Sequence, residues 1–185
     1  KAYPGRLEAL TTDALTLDLA ALGNAPRCIL SNLPYNVGTP LLIGWLKQAR
    51  AFSGMTLMFQ KEVAERITAT PGRSAYGRLA ILSQWLCETE ILFTVNRAAF
   101  TPPPKVTSAV VHLKPRAEPL APARFDLLER VTAAAFGQRR KMLRSSLKSV
   151  GNPEELCLAA DVPATARAEE IPVTAFCAMA RALEK

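Results

Sequence analysis

The chain has 185 residues, 49% of them hydrophobic and 21% charged, with a net charge of +7 and a pI near 9.5. That is ordinary globular composition; no apolar run reaches the ~20 residues that span a bilayer, and no basic, apolar, small-residue series marks a signal peptide. The four cysteines, Cys28, Cys87, Cys157 and Cys177, are scattered, which argues against a zinc site or a disulfide framework, fits a reducing cytoplasm and predicts core thiols.

Taken in chain order, the first half alternates strands with helices. Residues 7–11 form a short candidate strand running into Thr12-Asp13-Ala14-Leu15, and residues 27–31 are an apolar run that stops at Asn32-Leu33-Pro34-Tyr35. Residues 40–50 have helical spacing, with Thr39 as N-cap and Pro40 as the first helical residue. Residues 55–59 are continuously apolar, as in a strand buried on both faces. Helical periodicity returns over 61–69 and 76–88, on either side of the turn-like Thr70-Pro71-Gly72-Arg73-Ser74. Strands alternating with helices predict a parallel sheet covered on both sides.

The pattern changes after residue 90. Residues 90–95 and 106–113 read as two strands joined by the stiff Phe100-Thr101-Pro102-Pro103-Pro104 segment, which can pair antiparallel at the sheet edge. Residues 115–122 read as a linker, and 125–136, 139–150, 153–160 and 173–184 as helices. This predicts an α/β domain over 1–116 and a small all-α domain over 117–185. Basic residues concentrate at the junction: Arg116, Arg124, Arg130, Arg139, Arg140, Lys141, Arg144 and Lys148 stand against Glu118, Asp126 and Glu129, a local excess of +5. A localised positive surface is what a phosphate backbone requires, although charge also serves solubility.

Asn32-Leu33-Pro34-Tyr35 is a compact set of tools for an aromatic amine. The exocyclic amine of adenine is a poor nucleophile because its lone pair is delocalised into the ring. Two acceptors holding its hydrogens, the Asn32 side-chain oxygen and the Leu33 carbonyl, let the nitrogen pyramidalise and aim that lone pair at a methyl group. Pro34 restricts Leu33 to extended backbone and so fixes its carbonyl, and Tyr35 offers a flat ring for an extruded base. The proton can leave after attack, so catalysis rests on positioning and on acceptors facing developing positive charge. The competing reading of these four residues is a polar turn after a buried strand. Phe100 can present a second ring opposite Tyr35, or simply pack beside a rigid turn.

Four blocks carry a resemblance: Asn32 to Tyr35 (NLPY), FQKEVAERITATPGRSAYGRLAILSQ, FTPPPKVTSAVVHLKP and AFGQRRKMLRSSL. Together, in this order, they resemble the ribosomal RNA adenine N6,N6-dimethyltransferase family, in particular its bacterial small-subunit branch. The resemblance implies the C-terminal part of a Rossmann-like S-adenosylmethionine-dependent methyltransferase sheet, followed by a helical rRNA-binding domain. It implies dimethylation of two adjacent adenosines in the 3′-terminal hairpin of 16S rRNA during assembly of the small ribosomal subunit, in the cytoplasm. Asn32, Leu33, Pro34, Tyr35 and Phe100 are then the catalytic residues, and Asp13, Ala14 and Asn32 the cofactor contacts. The bottom-up reading gives Asp13 a ligand-facing place at a strand end, although an Asp before a helix is more often an N-cap. The implied rRNA contacts are Lys61, Arg66, Arg73, Arg78, Lys105, Arg139, Arg140, Lys141 and Arg144, with residues 138–144 starting a helix along a phosphate groove. Arg66 can alternatively pair with Glu62, and His112 is read as structural. Neither a metal nor a membrane enters this scheme.

The family's domain begins with a glycine-rich cofactor loop, and the nine glycines here contain no G-x-G pair. The expectation is therefore of an N-terminally truncated chain, inactive and unable to bind S-adenosylmethionine normally, with an exposed sheet edge that favours self-association. Two alternatives stand beside the small-subunit enzyme. One is a macrolide-resistance-type methyltransferase acting on 23S rRNA, and the other a non-catalytic RNA-binding assembly factor.

Overall fold

A computed structural model describes residues 5–184. Four strands form one mixed sheet: β1 (Cys28–Asn32), β2 (Gly54–Gln60), β3 (Cys87–Val95) and β4 (Ser108–Pro115), in the order β1-β2-β4-β3. β1 and β2 run parallel, with Asn32 opposite Met58. β4 is antiparallel to both neighbours, so Ser108 lies opposite Gln60 on one side and Val95 on the other. The predicted antiparallel pair is present, with β4 inside the sheet and β3 at its edge. A register shift between Ile91 and Phe93 marks an irregularity in that edge pairing.

The helices follow from where the apolar residues must go. α1 (Gly38–Leu46) buries Leu41, Leu42, Trp45 and Leu46. It starts earlier than its sequence pattern predicts: Val37, not Thr39, occupies the N-cap position, and Pro40 is the third helical residue. Proline is harmless there because the first-turn N–H groups have no intrahelical acceptor. The early start comes from the preceding turn, where the Pro34 carbonyl accepts from both Val37 N–H (3.2 Å) and Gly38 N–H (3.1 Å). α2 (Lys61–Thr68) buries Ala64 and Ile67, and its outer face carries the i,i+4 pairs Lys61–Glu65 and Glu62–Arg66. α3 (Arg78–Leu86) ends two residues before its predicted limit and runs straight into β3. The sheet overrides the helical pattern there, since Cys87 and Glu88 pair with Pro115 and Lys114.

The second half is helical: α4 (Phe125–Gly137), α5 (Leu143–Ser146), α6 (Pro153–Ala159) and α7 (Val173–Ala182). α4 buries Leu127, Leu128, Val131, Thr132 and Ala135, one stripe of a 3.6-residue period. α6 opens with Asn152 accepting from Glu154 N–H at 3.1 Å and Pro153 in the first turn. The apolar interior is continuous from the sheet to these helices. Phe136 stands between Tyr76 and Phe176, with ring centroids at 6.1 and 5.7 Å. The segment after β4 is tied down, with Leu120 N–H donating to the Trp85 carbonyl and Trp85 Nε1 to the Ala121 carbonyl.

Three further sequence expectations are corrected. Residues 7–11 form no strand; they are exposed, and β1 is paired on one side alone among the described residues, so no ladder takes up their backbone groups. The helix predicted over 139–150 is broken. Its apolar spacing is helical, yet residues 138–141 make a turn closed by Lys141 N–H to the Gln138 carbonyl, and Met142 bridges Arg167 in extended backbone. The N–H groups of Leu143 and Arg144 go to the carbonyls of Ala166 and Ala164, leaving a four-residue α5 and a 3-10 turn over Leu147–Ser149. Third, Cys28 is not a core thiol: it lies exposed on the edge strand, with Sγ 3.1 Å from Ser53 Oγ.

Candidate active site at the carboxyl end of the sheet

The parallel strands β1 and β2 end, and β4 begins, at one edge of the sheet. Loops leaving the carboxyl end of parallel strands form the usual ligand crevice of such sheets. Asn32 is the last residue of β1 and is exposed, while Leu33 is buried at 4% exposure and anchors the turn. With Leu33 held and Pro34 restricting it, the Leu33 carbonyl has little freedom. Gly38 closes the turn: a Cβ there would lie 3.1 Å from Phe59 Cε1 and 3.5 Å from Leu33 Cβ. The turn is therefore seated against β2 by a contact that a larger residue would force apart.

Tyr35 is 42% exposed, and its phenol oxygen lies 2.9 Å from Ser108 Oγ at the start of β4. This bond joins the tetrapeptide to the far end of the proline-rich segment. At the near end of that segment, Asn96 accepts from Ala98 N–H (3.0 Å), and Phe100 N–H donates to the Arg97 carbonyl (3.2 Å). Phe100 is half-buried and makes no ring contact with Tyr35. Both aromatic residues thus leave the same end of the sheet as separate rings.

Asp13 is exposed on a turn, its Oδ1 accepting from Leu15 N–H at 2.9 Å and its carbonyl from Thr16 N–H at 3.1 Å. It follows exposed coil rather than the strand end predicted for it. Ala14 helps line an apolar cleft of about 460 Å³ that runs along β1 beside Leu17, Leu30 and Trp45.

The basic candidates separate into two groups. Arg66, Arg78 and Arg139 line one cleft of about 570 Å³ between α2, the 74–79 segment and α4, together with Thr39 just beyond the tetrapeptide. Each has a carboxylate partner: Arg66 with Glu62 at 3.6 Å, Arg78 with Glu129 at 3.9 Å and Arg139 with Glu169 at 2.9 Å. Arg139 also donates to the Tyr76 carbonyl at 3.0 Å, which makes it a joint between α4 and the loop before α3. Lys61 pairs loosely with Glu65 at 3.8 Å. Arg73, Lys105, Arg140, Lys141 and Arg144 are exposed and have no ion pair among the described residues. Arg140 and Lys141 project from a turn, not from the helix predicted for them.

Buried thiols take no part in this geometry. Burial pushes the Cys87 thiol up to about 12 and the Cys177 thiol to about 11, and raises Cys157 as well, so all three stay protonated and inert. Burial likewise lifts the Tyr76 phenol above its ordinary range, and it donates to the Ile171 carbonyl at 3.1 Å. His112 lies on β4 with Nδ1 2.9 Å from Thr56 Oγ1, a cross-strand contact. Among the described residues no cluster of three metal-ligating side chains occurs, and no helix is long and apolar enough to cross a membrane. Sequence reasoning missed Ser108 and Glu169, because partners so distant along the chain leave no local periodicity.

Comparison with known proteins identifies the family. A family model described as ribosomal RNA adenine dimethylase matches residues 3–185. The chain is 64% identical over 184 residues to a ribosomal RNA small subunit methyltransferase A of Paramagnetospirillum magneticum, covering 100% of this chain and 66% of that protein. It is 63% identical to the protein of the same description from Rhodospirillum rubrum, covering 98% and 63%. The chain thus spans a little under two thirds of the length of these relatives. Among solved structures, a dimethyladenosine transferase from Plasmodium falciparum superposes with a TM-score of 0.76 at 27% identity, over 95% of this chain and 71% of that one. The 23S rRNA methyltransferase ErmE, at 24% identity and a TM-score of 0.65 over the same shares, shares the fold. With a family model matched over nearly its whole length and relatives above 60% identity, the chain belongs to the ribosomal RNA adenine dimethylase family.

Proposed function

We propose that this protein transfers methyl groups from S-adenosylmethionine to the N6 amines of two adjacent adenosines in the 3′-terminal hairpin of 16S rRNA. Each adenosine becomes N6,N6-dimethylated during cytoplasmic assembly of the small ribosomal subunit. The observation that carries this reading is the convergence of Asn32, the Leu33 carbonyl and Tyr35 at one sheet end, beside the loop that bears Phe100.

The extruded adenine stacks on Tyr35, with Phe100 as the second ring. Its amine hydrogens are accepted by the Asn32 side-chain oxygen and the Leu33 carbonyl, which leaves the nitrogen lone pair free. When bound, S-adenosylmethionine supplies the electrophilic methyl group. Asp13 fits its adenine end, being an exposed carboxylate able to accept from an amine; its neighbour Ala14 lines the cleft along β1, and Asn32 completes the proposed set of cofactor contacts. The acceptors then face the positive charge that develops on nitrogen, and the proton is lost to solvent afterwards. The rRNA backbone runs over the unpaired cations Arg73, Lys105, Arg140, Lys141 and Arg144, and over Lys61, Arg66, Arg78 and Arg139 where their carboxylate partners yield to phosphate.

The test is methylation of undermethylated 30S particles and of 50S precursors by the complete gene product with isotopically labelled methyl donor. Label in two adjacent adenosines of 30S particles is the expected result. Label in 50S precursors, or binding to 30S without transfer, would overturn the reading in favour of a 23S enzyme or a non-catalytic assembly factor.

A further inference from the structure

Ser108 sits where β4 meets both β2 and β3, opposite Gln60 and Val95. Its side chain is fully buried. The other buried serines and threonines among the described residues behave differently: Ser83 and Ser146 have no partner, and Thr132 bonds back within its own helix. The Ser108 hydroxyl reaches the Tyr35 phenol, 73 residues away in sequence, at 2.9 Å. Without that phenol it would be a buried polar group with nothing to bond, a costly arrangement.

The same bond constrains Tyr35. A tyrosine held only through its Cα swings about χ1; a bonded hydroxyl, which lies on the χ2 axis, restrains that swing and fixes the line along which the ring lies, while much of the side chain stays exposed. The anchor cannot retreat, because the neighbouring Thr107 carbonyl accepts Lys61 N–H at 2.9 Å and pins the start of β4 to α2. We propose that Ser108 is a positioning residue that fixes the place and long axis of the Tyr35 ring on which the target base stacks. The assignment rests on the stacking role given to Tyr35 above. Ser108 is fully buried and acts through the ring, since a ring held in place keeps the stacked amine in line with the methyl group.

The test uses the complete gene product on 30S particles, together with fluorescence quenching of a 2-aminopurine placed at the target position of the hairpin. Ser108→Ala is expected to lower kcat by about three- to tenfold, the usual worth of one such hydrogen bond, with KM for 30S little changed and quenching weakened. Tyr35→Phe, which keeps the ring and removes the bond, is expected to show the same defect, and the double variant to be no worse than either single one. Unaltered kcat and quenching in Ser108→Ala, or defects that multiply in the double variant, would overturn the proposal. Should Ser108→Ala fail to fold, Tyr35→Phe decides alone, since normal turnover there removes any role for the bond. Tyr35→Ala separates the two layers. Full activity in it sinks the stacking role itself, whereas an inactive Tyr35→Ala beside a normal Ser108→Ala sinks the Ser108 assignment only.

Discussion

The two candidate functional regions of this molecule are built on opposite plans. At the carboxyl end of the sheet the polar groups are few, and each is placed by a particular neighbour: Leu33 by burial, Tyr35 by Ser108, the turn by the close approach of Gly38 to Phe59. Around α4 and α5 the charges are many, and several of them, Arg140, Lys141 and Arg144 among them, are held by nothing but their own chain. Chemistry on one amine demands position, and binding a polyanion demands only local charge. Damage should therefore be all-or-none in the first region and graded in the second.

The sharpest break in that comparison is Asn32→Ala. In the proposed mechanism it removes one of two acceptors facing the developing charge, so kcat is expected to fall by roughly 10²–10³-fold, while the affinity for 30S particles, measured by filter binding, stays within about twofold because no cation is lost. Next in size is the combined replacement of Arg140, Lys141 and Arg144 by alanine. Affinity should fall by about 10- to 100-fold at low salt, and the slope of log K against log[salt] should flatten by roughly two to three, one step for each phosphate contact removed. Single replacements should each give a fraction of that loss.

The smallest effect marks the boundary between the groups. Arg139 stands among the cations by sequence but is engaged by Glu169 and the Tyr76 carbonyl. Its ion pair is 41% and 31% exposed and so largely screened by solvent. Arg139→Ala is expected to cost about 1 kcal/mol of folding stability, mostly from the hydrogen bond to Tyr76, read by denaturant unfolding. The salt slope should hardly move. A slope change equal to one full phosphate contact, with stability intact, would place Arg139 with the unpaired cations.

Much of this organisation is legible in the residues themselves. The apolar run of β2, the Asn152-Pro153 start of α6 and the i,i+4 charges of α2 are local signals, and the structure follows them. What fails is everything decided by a distant partner. The 139–150 pattern is helical, but the carbonyls of Ala164 and Ala166 capture the first two N–H groups of α5. Residues 7–11 have strand-like content with no ladder to join, and α3 yields to β3 because Pro115 and Lys114 lie alongside. The candidate site shows the same division. Its reactive groups stand in one tetrapeptide that can be read directly, whereas the Ser108 hydroxyl that steadies Tyr35 becomes visible only once β4 is placed.

Gly38 carries a final consequence. It offers no reactive group, no charge and no side chain, and its backbone takes an ordinary helical place. Yet the 3.1 Å that would separate an added Cβ from the Phe59 ring makes it a spacer of fixed thickness between helix and sheet. The turn that carries the Leu33 carbonyl begins five residues before it, and a Cβ here would also lie 3.5 Å from Leu33 Cβ. A side chain at this position would therefore press on both the sheet and the turn, and its absence lets the two lie close together.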